Sequence, residues 1–236
     1  MTQTLSKPDI VTIFSKGLLG AVPFVGPLAA EIVGATIPNQ RLDRIESYLI
    51  KLDSKFKKSD YENVKKRIKK PEYVDLFEDS LIQASRALSE ERKEYIGALL
   101  KNSLTSDELS YIEYKRLLSL LGEINDIEIL MLISQRFNTM GCSSPESDEF
   151  WEKHRDILQE PPAHMGSSQE EINKHTIYLA HKLHLVNLGL LKPRFKKPRK
   201  GEIPEFDEKT GMIKSSGFDS TSLGRMLVKV IDQGEK

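Results

Sequence analysis

Leu42, Ile45, Leu49, Leu52 and Phe56 recur at alternating steps of three and four, which is one apolar stripe on an amphipathic helix. Asn39, following Pro38, is a suitable N-cap for it. Five such positions fall short of the heptads a coiled coil needs, so the stripe predicts a bundle helix. After Pro71, a second helix carries Tyr73, Leu76, Phe77, Ile82, Ala84 and Leu88, and Ser89 caps a third with Ile96, Leu99 and Leu100. Thr105 with Glu108 forms a capping-box pattern ahead of Leu109, Ile112, Leu117, Leu120 and Leu121. Asn125 with Glu128 repeats it before Ile127, Leu130, Met131 and Phe137, with Gly122 as the expected stop between the two helices. No alternation of period two interrupts this stretch, so residues 39–140 read as a helical bundle.

Upstream the pattern is different. Gly17 to Ala30 is an uncharged apolar run punctuated by Gly20, Pro23, Gly26 and Pro27 and bracketed by Lys16 and Glu31. It is shorter than the about 20 residues that a membrane helix requires, and its prolines break a regular helix. The implied element, over residues 1–38, is an apolar helical hairpin with a Gly/Pro tip. An element apolar nearly all round is expected to bury itself in the core of its own bundle; alternatively, its side chains Leu18, Leu19, Val22, Phe24 and Val25 are the candidates for contact with a partner or a membrane. The late start of the run and the scarcity of basic residues before it do not fit a secretory signal.

Residues 141–168 are loop-rich around a short helix with Phe150, Trp151, Ile157 and Leu158, and form the expected linker. From 169 to 236 a further domain is expected. Ser167-Ser168-Gln169-Glu170-Glu171 supplies two overlapping capping boxes, and the helix they open shows an apolar face of Ile172, Thr176, Leu179, Leu183 and Val186. Gly189 suits a left-handed helix end. A basic, proline-containing loop follows, then Gly211-Met212-Ile213-Lys214 as a return strand. Thr221 or Ser220 caps a last helix with Leu223, Met226, Leu227 and Val230.

A helix ending in Leu-Gly-Leu, an extended basic loop, a short strand and a Ser222-Leu223-Gly224 helix resemble a winged-helix module. Asn187-Leu188-Gly189-Leu190 and Thr221-Ser222-Leu223-Gly224-Arg225 are also similar to the C-terminal arrangement of the abortive-infection alpha family of bacterial phage-defence proteins. That resemblance implies a bacterial defence role and carries no catalytic residues. The winged-helix likeness would place Lys196, Lys197, Arg199 and Lys200 on nucleic-acid phosphates.

Composition narrows these expectations. Lys+Arg and Asp+Glu each number 35, so the net charge is zero, which argues against a dedicated nucleic-acid binder held by long-range attraction. Within that balance, residues 51–70 are strongly basic. Lys57, Lys58, Lys65, Lys66 and Arg67 could meet anionic headgroups or phosphates; alternatively, the run is a solvated face. A single cysteine, Cys142, excludes an intramolecular disulfide and suits a reducing cytosol. The expected location is cytoplasmic, with conditional association at the inner membrane.

Enzyme chemistry finds little support. His181 and His184, three apart on a helix, could share a face, but no HExxH, paired cysteines or acidic residue at matching spacing accompanies them. Cys142 has no local activating base, although His154 could approach it in space. No catalytic residue, metal ligand, cofactor or small-molecule substrate is therefore assigned. The expected fold is mainly α: an amphipathic bundle with an N-terminal apolar hairpin and a C-terminal winged-helix-like module. The expected function is that of a non-enzymatic, abortive-infection-like protein acting through a protein partner or self-association and through conditional membrane contact. The alternative is a winged-helix nucleic-acid-binding regulator.

Overall fold

A computed structural model describes residues 27, 29–31, 41–138, 144–164, 166–206, 211 and 213–232. The hairpin contacts Leu18, Leu19, Val22, Phe24 and Val25, and Cys142, lie outside the described residues. The described chain is mainly helical, with helices α1 (Leu42–Ser54), α2 (Tyr61–Arg67), α3 (Pro71–Arg86), α4 (Glu90–Thr105), α5 (Tyr111–Glu123), α6 (Asp126–Asn138), α7 (Pro145–Leu158), α8 (Gln169–Asn187) and α9 (Ser222–Val230). Two short strands, β1 (Leu191–Phe195) and β2 (Ser215–Ser220), complete it. Two compact units result, one holding α1–α5 with Val230–Asp232, the other running from Ile124 to Lys229. The division falls at Glu123/Ile124, so α6 groups with the C-terminal elements.

In the first unit the α1 stripe is the core: Leu42, Ile45, Leu49, Leu52 and, just past the helix, Phe56 are all buried. α4 packs against α1, α2, α3 and α5. Its middle, Ile96 to Leu100, is buried on every side, as a central bundle helix must be. Ser89 caps it by accepting from the Arg92 N–H at 3.2 Å. Tyr48, fully buried, gives its hydroxyl proton to Ser80 Oγ at 3.1 Å, so the one polar atom it brings into the core is paired.

Several local expectations are corrected here. α5 is capped by Ser110 and Glu113, with Ser110 N–H donating to Glu113 Oε2 at 2.6 Å. Thr105 is instead the last residue of α4, where its hydroxyl returns to the Lys101 carbonyl. Gly122 is inside α5, where a Cβ would come within 2.9 Å of the Gln83 side-chain amide and displace it from its hydrogen bond to the Leu118 carbonyl. Leu88 and Ile112, expected in the core, are exposed. The basic stretch 51–70 runs through the end of α1, a 3-10 turn at Lys58–Asp60 and α2.

The second unit builds on α6, which touches α7, α8 and β2. Asn125 and Glu128 form the expected capping box at its start, Asn125 N–H donating to Glu128 Oε2 and Glu128 N–H to Asn125 Oδ1, both at 2.9 Å. Phe137 meets Phe150 across α6 and α7 at 5.1 Å between ring centres. α8 opens on the Ser168–Glu171 box. It closes with Gly189 at φ +72° and the Leu190 N–H on the Leu185 carbonyl, the six-to-one bond of a Schellman end. β1 and β2 pair antiparallel from Leu191↔Ser220 to Arg194↔Gly217, with a bulge before Phe195. The return strand therefore starts at Ser215 rather than at residue 211, and Ile213 makes only an isolated bridge to Phe206. Thr221 caps α9, accepting from the Gly224 N–H at 3.0 Å.

Candidate functional site

α8 divides its chemistry between two faces. The packed face carries Tyr178 and Leu185, both buried and seven residues apart. Tyr178 hydroxyl donates to the Leu158 carbonyl at 3.1 Å, tying α8 to the end of α7. Beside this line, His181 and His184 each present Nδ1 to the same oxygen, Glu128 Oε1, at 3.0 and 2.9 Å. The sequence showed no carboxylate near these histidines because Glu128 lies 53 and 56 positions away, where its capping role was its only local signal.

The Glu128 side chain is almost wholly buried. Burial pushes its acidity down, but the Asn125 N–H on one oxygen and the two imidazoles on the other outweigh that and hold its carboxyl below the ordinary value. With both oxygens engaged, the carboxylate is spent on holding the start of α6 to the middle of α8. Among the described residues, no group of three or more His, Cys, Asp or Glu side chains is arranged to hold a metal ion. The cluster is a polar pin.

The opposite face is the one the spacing assigned to the core, and the structure reverses that expectation. Ile172 is 41%, Leu179 37% and Leu183 57% exposed, with Thr176 exposed between them and Val186 half-buried. Ile177, on the side of the helix that carries His181 and His184, is 59% exposed. The reason is local: Tyr178 brings its hydroxyl to a buried carbonyl and the imidazoles bring donors to Glu128, so the helix is turned toward these anchors. The 172–183 row is left outward. Lys182 borders that row and stretches across the Tyr178 and Phe218 rings, 5.3 and 5.7 Å from their centres. Its burial there lowers its pKa.

The ribbon continues from this helix. Lys196, Lys197, Arg199 and Lys200 are all exposed, as are Lys192 and Arg194. Arg194 pairs with Asp219 at 3.4 Å and crosses Gly217, where a Cβ would lie 2.8 Å from its guanidinium.

In the first unit, Lys57, Lys58 and Lys66 are exposed, and Lys65 is half-buried over the Tyr61 ring. Arg67 differs from them. It is buried, and its guanidinium donates to the carbonyls of Ser103 at 2.5 Å and Ser106 at 2.6 Å and pairs with Asp107. It braces the end of α4 and is spent on that contact; nothing in its sequence neighbourhood distinguished it from the surface lysines.

Among the described residues no helix is long and apolar enough to cross a membrane. Comparison with family models, curated proteins and solved structures finds no match.

Proposed function

We propose that the chain is a non-enzymatic helical protein of bacterial defence type that works by contacting another protein through the outward face of α8. The observation that carries this reading is the row of Ile172, Leu179 and Leu183, exposed on a helix whose other face is packed. Apolar surface left in water is unfavourable by roughly 25 cal/mol per Å², and a contiguous exposed patch marks a contact site. The defence assignment rests on the C-terminal resemblance. Support for treating its two motifs as one element comes from their meeting: Thr221 Oγ1 donates to the Gly189 carbonyl at 2.7 Å. Conditional membrane contact would draw on the apolar N-terminal run and on Lys57, Lys58 and Lys66.

Plating of a phage panel on cells carrying the chain tests this reading. Wild type is expected to reduce plating of at least one phage, and the double variant Leu179→Asp/Leu183→Asp to restore it while its circular dichroism stays that of wild type. Full plating with wild type, or equal protection by the double variant, contradicts it.

The exposed Lys196, Lys197, Arg199 and Lys200 favour a second reading, nucleic-acid contact by a winged-helix-like unit. It expects binding to duplex DNA that falls steeply with salt and weakens on Lys196→Ala/Lys197→Ala. Salt-insensitive or absent binding removes it.

A further inference from the structure

We infer that Lys57, Lys58, Lys66, Lys69 and Lys70, between α1 and α3, form a landing patch for an anionic lipid bilayer, held by charge and without insertion of apolar side chains from the patch. This rests on the conditional membrane contact proposed above and deepens it by naming the surface and the lipid chemistry.

From residue 55 to 70 the chain carries eight Lys and Arg residues against two acidic ones, whereas residues 41–54 and 71–123 together carry nine against fourteen. The first unit is thus close to neutral, with its positive charge gathered in one run. The fold then sorts these cations. Arg67 is buried on the α4 carbonyls, and Lys65 lies over the Tyr61 ring. Val64, Arg67 and Ile68 turn inward, which leaves Lys57, Lys58, Lys66, Lys69 and Lys70 exposed. Asp60 is engaged with the Lys57 N–H at 2.8 Å, and Asp107 with Arg67. Glu62 and Glu72, exposed in the same stretch, leave a clear excess of cations.

Charge of this kind suits a diffuse anionic surface. All five exposed cations are lysines, which act as point charges. The one arginine of the run, whose planar fork would grip a single phosphate by two bonds, is spent inside. The two rings nearby are covered, Tyr61 by Lys65 and Tyr73 by Arg67, each 5.5 Å from the ring centre. No stacking platform for bases is therefore open here. No large apolar side chain between residues 51 and 87 is exposed, so nothing in the patch reaches for the acyl region. At an anionic leaflet each near-surface lysine is worth about a five-fold factor in partition. The acidic remainder of the unit is repelled by the same leaflet, which sets the side that faces the lipid.

The test is flotation of the full chain with vesicles of phosphatidylcholine alone and of phosphatidylcholine mixed with phosphatidylglycerol. Wild type is expected to bind only the mixed vesicles. It should be released when salt rises from about 0.1 M to about 1 M, where the screening length falls from about 10 to about 3 Å. Lys66→Ala/Lys69→Ala/Lys70→Ala is expected to weaken binding at least about ten-fold, with its circular dichroism unchanged. Lys66→Arg/Lys69→Arg/Lys70→Arg should keep it, as should Lys196→Ala/Lys197→Ala/Lys200→Ala in the ribbon. Equal binding by wild type and the first alanine triple overturns the proposal. So does equal binding to neutral and mixed vesicles. So does duplex DNA held more tightly than mixed vesicles at equal phosphate concentration and weakened by the same triple, which would make nucleic acid the occupant. If the first alanine triple still binds and Leu18→Asp/Phe24→Asp does not, membrane contact stands and the patch alone is removed. Wild type left unbound by every vesicle removes both.

Discussion

Gly224 lies against the carbonyl oxygen of Leu190, so close that a Cβ built on it would overlap that oxygen. The same carbonyl accepts the Thr221 N–H at 3.1 Å, so the end of α8 and the start of α9 are joined backbone to backbone. Gly224→Ala must displace this joint and is expected to destabilise the second unit by about 1–3 kcal/mol, the usual cost of overpacking. Urea denaturation reads it. A change below about 0.5 kcal/mol, typical of unconstrained surface sites, would show that the close approach is not required.

Glu128 links the fold to pH. Its carboxyl is held below the ordinary value, so it is ionised in the folded state at lower pH than in the unfolded chain. The resulting stability is fully present above the unfolded value of 4.5 and is lost as pH falls through the lower folded value. Glu128→Gln is expected to cost about 1–3 kcal/mol at pH 7 and to flatten the acid side of the stability curve. Midpoints measured from pH 7 down to 3 should therefore converge for the two proteins. A difference that does not shrink with acid would mean that the carboxylate charge is not what holds α6 to α8.

Arg67→Ala is expected to destabilise the first unit by about 3 kcal/mol, because a buried and a half-buried carbonyl lose a charged donor. Lys57→Ala and Lys58→Ala, both at exposed positions, should stay within about 0.5 kcal/mol. The comparison is made by thermal denaturation of the three variants. Equal midpoints for Arg67→Ala and Lys58→Ala would return Arg67 to the surface cluster.

Local rules read well where one short interaction decides the outcome. The Asn125–Glu128 and Ser168–Glu171 boxes, the Ser89 cap, the Gly189 helix end and the α1 stripe are all legible from spacing, because each depends on residues within one or two turns. Legibility fails where the deciding partner is distant. Glu128, recognised as a cap, is also the acceptor for two imidazoles more than fifty residues away. Arg67 differs from its lysine neighbours only through the α4 carbonyls it meets. α8 is the instructive failure, since its best apolar period marks the face it leaves in solvent, while Tyr178 and Leu185 mark the face it buries. Hydrophobic period reveals that a face seeks cover; it does not say whether the cover belongs to the same chain.

Leu183 and Leu185 stand two residues apart on α8 and face opposite fates, one 57% exposed and the other fully buried. Comparing the unfolding free energies of Leu183→Gln and Leu185→Gln is the most direct test that the outward row is a contact face and not a core. Leu183→Gln is expected within about 0.5 kcal/mol of wild type, and Leu185→Gln to lose more than about 3 kcal/mol from an emptied core site and a buried amide. Equal losses, or a larger loss for Leu183→Gln, would contradict it.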